Sequence, residues 1–136
     1  MRPGAPVGFG QVGGLPWIGL PGNPVSTMVT FELFVRPAIR KMSGHALPFR
    51  RSVPVTLAEP VSLKPVLQHF LRGVVAHRDG TAVAKLTGPQ GSGILTSMAL
   101  ANALLVIPEG QHETPAGASV QALLLDETVH QAEPAF

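Results

Sequence analysis

The residues best placed to do chemistry stand together at positions 20–26, LPGNPVS, between a short apolar run (15–20, LPWIGL) and a segment of helical character. The first turn of a helix presents unpaired N–H groups and a partial positive charge, which suits an anion. Gly22 permits close approach of a ligand to the backbone, and Asn23 and Ser26 add side-chain hydrogen-bonding groups. A loop at the C-terminal end of a strand is also where open α/β sheets take ligands. Asn23 is equally an ordinary N-cap, and both readings stay open. The segment is neither a Walker A loop nor a dinucleotide fingerprint, since the glycine spacing and the lysine are absent.

Other chemistries find less support. His45, His69, His77, His112 and His130 are scattered without metal-ligand spacing and read as solvated or locally bonded side chains. Ser92 and Ser97 have no recognisable base partner, so nucleophilic catalysis is not expected. The absence of cysteine excludes disulfides and thiolate metal sites. No catalytic residue and no metal ligand is assigned. Trp17 reads as a core residue rather than a base-stacking platform.

The elements that must position these residues follow from pattern. Residues 1–14 are rich in Gly and Pro and read as loop or irregular edge strand. Residues 15–20 are consistent with a buried strand. Asn23 as N-cap and Pro24 at the first helical position open a helix reaching about Met42, with Arg36, Arg40 and Lys41 at its end and Gly44 as terminator. Pro37 is expected to kink or split it. Its apolar residues cover more than one stripe, so it needs neighbours on several sides. From residue 47 the pattern turns to strands: 49–57, 70–77, 81–86, 103–107 and 119–125. Asp79-Gly80 is a type I′ hairpin signal, and 87–93 (TGPQGSG) reads as a glycine-rich loop. Residues 126–136 read as a frayed tail.

Composition sets the frame. The 136 residues are 45% hydrophobic and 13% charged, so the chain should fold, with part of its apolar surface covered by a partner or by further sequence. The net charge is +2 with a pI near 9.7. Arg2, Arg36, Arg40, Lys41, Arg50 and Arg51 crowd the first 51 residues against Glu32 alone, and acids dominate after Arg78. A basic N-terminal portion would suit a phosphate-like ligand; a dipolar surface without a ligand is the plainer reading. The N-terminus has no signal-peptide h-region, and no run of about 18 apolar residues exists, so no membrane span is expected and a cytoplasmic setting fits.

The stretch RPGAPVGFG…GLPWIGLPGNPVSTMVTFELFVRPAIRKMSG resembles the end of the molybdopterin-binding domain of the MoeA/gephyrin family of molybdopterin molybdenumtransferases. FLRGVV (70–75), TGPQGSGILTSMALANALLVIPEG (87–110) and the entry to the last strand at 117–120 are similar to that family's C-terminal β-barrel domain. The resemblance covers nearly the whole chain, in order. It implies an α/β fragment, the last strand and helix of the molybdopterin-binding domain (1–45), then a small, mostly antiparallel β-barrel (46–127) and a tail (128–136). It implies insertion of molybdate into adenylylated molybdopterin with release of AMP, dependent on Mg²⁺, by a homodimer. Gly22, Asn23 and Ser26 would cradle the phosphate or nucleotide region. Arg72 and Ser92 would reach in from the partner's barrel, the arginine suiting an oxyanion because its fork donates two bonds at once. Arg2 keeps a positive charge that the family carries as lysine, and Ala5 does not. The family's upstream half, with its glycine-rich loop and acidic residues, has no counterpart here, and no carboxylate pair is placed for Mg²⁺. Turnover by this chain alone is therefore not expected. The alternative is a non-catalytic barrel used for dimerisation or partner docking. A nucleic-acid-binding barrel is disfavoured by five acids in the last third and few exposed-type aromatics.

Overall fold

Gly13 and Gly14 both take positive φ, 56° and 80°, as a two-residue hairpin turn requires. They join β1 (Gly8–Val12) to β2 (Leu15–Gly19) in a two-stranded antiparallel sheet. The computed structural model describes residues 2–64, 67–126, 130, 131, 134 and 136, with the backbone alone at His130. Of the two alternatives for residues 1–14, residues 8–12 take the edge strand, in regular pairing, whereas β2 is not the buried strand expected: Leu15 is 72% exposed and Trp17 52%. The Trp17 indole lies across the backbone of the hairpin, where a Cβ at Gly19 would meet it at 2.6 Å. It is a hairpin clamp rather than a core residue.

The helix opens at Asn23 and continues through α1 (Pro24–Thr30), a π-helical turn (Phe31–Val35) and α2 (Arg36–Met42). In α-helical register the Pro37 ring would collide with the carbonyl of Leu33. The π-helical turn, with the Arg36 N–H bonded to the Phe31 carbonyl, absorbs that conflict without splitting the helix. The end is a Schellman motif: His45 N–H bonds the Arg40 carbonyl, Gly44 N–H bonds the Lys41 carbonyl, and Gly44 has φ 84°.

The rest is strand: β3 (Phe49–Arg50), β4 (Ser52–Leu57), β5 (Val61–Ser62), β6 (His69–Arg78), β7 (Thr81–Leu86), β8 (Ala103–Ile107), β9 (Glu113–Thr114), β10 (Ser119–Leu124) and β11 (His130–Gln131), with a short α3 (Leu95–Ala99) before β8. Strands β10, β4, β7, β6 and β8 close into a five-stranded barrel in which only β4 and β7 run parallel. Asp79 (φ 49°) and Gly80 (φ 78°) make the expected turn between β6 and β7. The single strand expected at 49–57 divides at Arg51 into β3 and β4, and α3 was not anticipated. The expected frayed tail is engaged at its described residues. β11 pairs with β3, the Gln131 carboxamide oxygen accepts from Ser52 N–H at 3.0 Å, and the Phe136 ring meets Phe70 and Phe34 edge to face.

Alternation explains the packing. Ala103, Leu105 and Ile107 of β8 point into the barrel with Leu71, Val55, Leu57, Val120 and Ala122. Leu104 and Val106 point outward into a second cluster with Phe70, Met98, Leu123 and the helical stripe Val25, Val29, Leu33. β8 is therefore buried on both faces, and the helix and barrel share a core. Glu32 reinforces the join through Arg50, Nε to Oε2 at 3.0 Å.

The ten-residue β6 changes partner at Gly73, from β8 before it to β7 after it. A side-chain amide completes the ladder on each side. Asn102 Oδ1 accepts from Val75 N–H at 2.7 Å and Asn102 Nδ2 donates to the Val75 carbonyl at 3.0 Å; Gln90 does the same for Arg72. Asn102→Ala strands both backbone groups of Val75 and should cost about 1–3 kcal/mol, read as a lowered urea midpoint with an unchanged m-value.

Candidate functional site

Arg72 follows Phe70 by two residues on β6, so its side chain leaves the barrel on the outer face. There Gln90 and Gly91 of the loop and Ser97 of α3 pack against it, and it is 0% exposed. Its Nε donates to Ser97 Oγ at 3.1 Å and its Nη2 to the Gly91 carbonyl at 3.1 Å; its buried Nη1 has no hydrogen-bond partner. Both acceptors are neutral, and among the described residues no carboxylate pairs with it. Burial pushes the guanidinium pKa below the ordinary arginine range. Its backbone is fixed as firmly: the N–H donates to Gln90 Oε1 at 2.8 Å, and the carbonyl accepts from Gln90 Nε2 and from Thr87 N–H, each at 3.1 Å.

A cavity of about 490 Å³ adjoins this arginine. Of the residues singled out from sequence, Arg2, Asn23, Ser26, Arg72 and Ser92 line it, joined by His69, Gln90 and Gly91. Gly22 does not. It is exposed, and a Cβ there would meet nothing within 4 Å, so the close approach expected of it is not seen. Asn23 occupies the N-cap position without a side-chain cap bond; its Nδ2 donates instead to Ser92 Oγ at 3.1 Å. The first turn of the helix is also less open than expected, because Val25 N–H donates to the Ser92 carbonyl at 3.2 Å. Arg72 and Ser92 line the cavity with Asn23 and Ser26, and Ser92 joins barrel to helix through its bonds with Asn23 and Val25.

Arg2 arrives by backbone pairing. Its N–H donates to the Gln68 carbonyl at 2.8 Å and its carbonyl accepts from Phe70 N–H at 2.7 Å, so the N-terminal segment runs beside the start of β6. His69 Nε2 lies 3.0 Å from the Lys64 carbonyl. Sequence reasoning missed Gln90 and Ser97 as supports of Arg72. Their partners lie 18 and 25 residues away, and no local pattern marks such contacts.

The arrangement can hold an anion. It offers a buried guanidinium whose Nη1 has no protein partner, a second arginine at the rim, and the side chains of Ser26, Asn23 and Ser92. It does not fit Mg²⁺. Among the described residues the lining holds no carboxylate, and no three His, Asp or Glu side chains gather to hold a metal. A larger cavity, about 640 Å³, lies between the hairpin and the helix and is lined mainly by apolar residues such as Phe9, Leu33, Phe34 and Phe49. No helix among the described residues is long and apolar enough to cross a membrane.

The family model described as the MoeA C-terminal region (domain IV) matches residues 54–125. Molybdopterin molybdenumtransferase 2 of Mycobacterium tuberculosis is 40% identical over 121 residues, covering 89% of this chain and 29% of the relative. Gephyrin of Dictyostelium discoideum is 39% identical over 114 residues, covering 78% and 16%. Among solved structures, the molybdopterin biosynthesis MoeA protein of Pyrococcus horikoshii superposes with TM-score 0.69 at 29% identity, covering 93% of this chain and 30% of that one. The molybdenum cofactor biosynthesis protein of Pyrococcus furiosus gives 0.66 at 30% identity, covering 90% and 42%. The chain thus spans less than a third of the length of the M. tuberculosis relative. With its five-stranded barrel, and with the family pattern matched across residues 54–125, this chain belongs to the MoeA family through that family's C-terminal region.

Proposed function

We propose that this chain serves molybdenum cofactor biosynthesis by holding molybdate at Arg72, beside adenylylated molybdopterin, in the insertion of molybdate with release of AMP. One observation carries the reading: a fully buried guanidinium whose protein partners are all neutral and whose Nη1 has none. A buried charge without a counter-charge is costly, and an oxyanion in the adjoining cavity would supply one. The names of the relatives, which are molybdopterin molybdenumtransferases, supply the substrate class. Ser26 and Ser92 offer hydroxyls to the same anion, and Arg2 adds long-range attraction at the rim. The contribution is positioning and electrostatic stabilisation rather than covalent chemistry at a side chain.

Because the described residues of the cavity include no carboxylate to hold Mg²⁺ or to move a proton, the reading assigns binding, not turnover, to this chain alone. Exposed apolar residues such as Val12, Leu15 and Met42 would be covered in a larger cytoplasmic assembly, a homodimer in this reading. The test is calorimetric titration of the chain with molybdate. Arg72→Ala should weaken binding by about tenfold or more, since each charge-assisted bond contributes roughly 1.5–3 kcal/mol. The second reading, a docking barrel without a ligand, is favoured by the larger apolar cavity. A folded chain that does not bind molybdate decides for it.

A further inference from the structure

A guanidinium that is buried is not thereby oriented. Arg72 has four side-chain torsions, and its usefulness to an anion depends on which N–H groups face the cavity. Ser97 settles part of this. It sits on α3, is 2% exposed, and its Oγ lies 2.6 Å from the Ile94 carbonyl and 3.1 Å from Arg72 Nε. A carbonyl can only accept, so the one hydroxyl proton goes to Ile94, and Ser97 Oγ must accept from Nε. Gly91 takes a proton from Nη2. The Nε side of the fork is thus consumed by neutral acceptors, and Nη1 is left over.

Gln90 settles the rest. Its carboxamide pairs with both the N–H and the carbonyl of Arg72, which fixes the root of the side chain, and its Nε2 also lies 2.9 Å from the Gly88 carbonyl. That second contact holds the loop that presents the Gly91 carbonyl. Gln90 and Ser97 therefore grip Arg72 at its two ends.

We propose that Ser97 and Gln90 are positioning residues of the Arg72 oxyanion site, taking up Nε and the backbone of Arg72 so that Nη1, which has no protein partner, is the donor left for the anion. This rests on the reading that Arg72 binds molybdate. A group held in one orientation gives up no rotamer freedom on binding, whereas a loosened one must be reordered by its ligand.

The experiment is molybdate titration of the full chain by calorimetry, with urea unfolding of each variant to confirm a folded state. Ser97→Ala and Gln90→Met should each weaken binding by about tenfold while Arg72 remains. Ser97→Thr, which keeps the acceptor oxygen, should restore affinity to within about threefold of the parent. In an Arg72→Lys background there is no Nε to hold, so Ser97→Ala should change the residual affinity by less than about threefold. Equal losses from Ser97→Ala in both backgrounds would make Ser97 a packing residue and overturn the inference. Arg72-dependent binding that Ser97→Ala and Gln90→Met leave intact would overturn it while sparing the site. Absence of any Arg72-dependent binding would remove the site reading and this inference together.

Discussion

Arg72→Met is expected to make the ligand-free chain more stable and, in excess molybdate, less stable than the parent. Without an anion, Arg72 is a buried charge with neutral partners only. Exchanging such a group for an unbranched apolar side chain of similar length removes the desolvation penalty, and buried ionic groups replaced this way commonly gain about 1–4 kcal/mol. The lost bonds limit the gain: Ser97 Oγ keeps its bond to the Ile94 carbonyl, but the Gly91 carbonyl loses a donor. A net gain of about 1–2 kcal/mol follows. The parent alone then responds to ligand. Molybdate at about 100 times its dissociation constant should add about 2.7 kcal/mol, enough to reverse the order. Because burial lowers the folded-state pKa of this base, the penalty is present in full below that pKa and is relieved only as pH rises towards the ordinary arginine range. The difference should therefore be constant across neutral buffers. Paired urea midpoints with and without molybdate check this. A variant less stable than the parent without ligand would make Arg72 a structural residue.

Phe70→Ala should come close to unfolding the chain. Phe70 is 0% exposed and lies where four parts of the molecule meet. In its cluster Val25, Val29 and Leu33 come from the helix, Leu104 and Val106 from β8, Leu123 from β10, and Met98 from α3. Its ring also stands edge to face with Phe136 at 5.6 Å. Removing a buried phenyl ring costs about 3–5 kcal/mol through lost transfer energy and the cavity left behind. Domains of this size commonly have about 5–15 kcal/mol in total. Phe70→Leu, which keeps an apolar side chain filling most of the site, should cost markedly less, about 1–2 kcal/mol. Since Phe70 shares the outer face of β6 with Arg72, the alanine variant should lose molybdate binding as well. Chemical unfolding followed by far-UV circular dichroism measures the loss. A change below about 1 kcal/mol would mean that helix and barrel do not depend on a common core.

Much of the barrel was legible because its signals are local. Residues 103–107 could be read as a strand from five apolar residues in a row, and Asp79-Gly80 announced its own turn type. The helix end was legible for the same reason, since Arg40, Lys41 and Gly44 satisfy a terminus from within it. What escaped were conflicts resolved by geometry and contacts between distant residues. Pro37 announces a break, but a π-helical turn answers it equally well, and sequence does not choose between them. Gly13-Gly14 is a two-residue hairpin signal of the same kind as Asp79-Gly80, but the Gly- and Pro-rich residues around it lack the alternation that marks flanking strands. Arg2, Asn23, Ser26, Arg72 and Ser92, singled out by local pattern and family resemblance, share the lining of one cavity. The burial of Arg72 was not legible, because an arginine is expected at the surface. Alternation along β6 places Arg72 on the face of Phe70, but only the packing of residues 87–94 shows that this face is covered.

β8 carries a consequence for how the chain finds its fold. Being apolar on both faces, it could slide by one residue past its neighbours and still bury every side chain, because the usual penalty for turning a polar face inward is absent. Its alignment must therefore be dictated from its ends. Asn102, immediately before the strand, clamps Val75 of β6 through two hydrogen bonds that a shifted strand could not make. Pro108, immediately after it, has no N–H with which to extend the ladder. Loosening the clamp should thus do more than weaken the barrel: refolding should divide among competing alignments and acquire a slow phase.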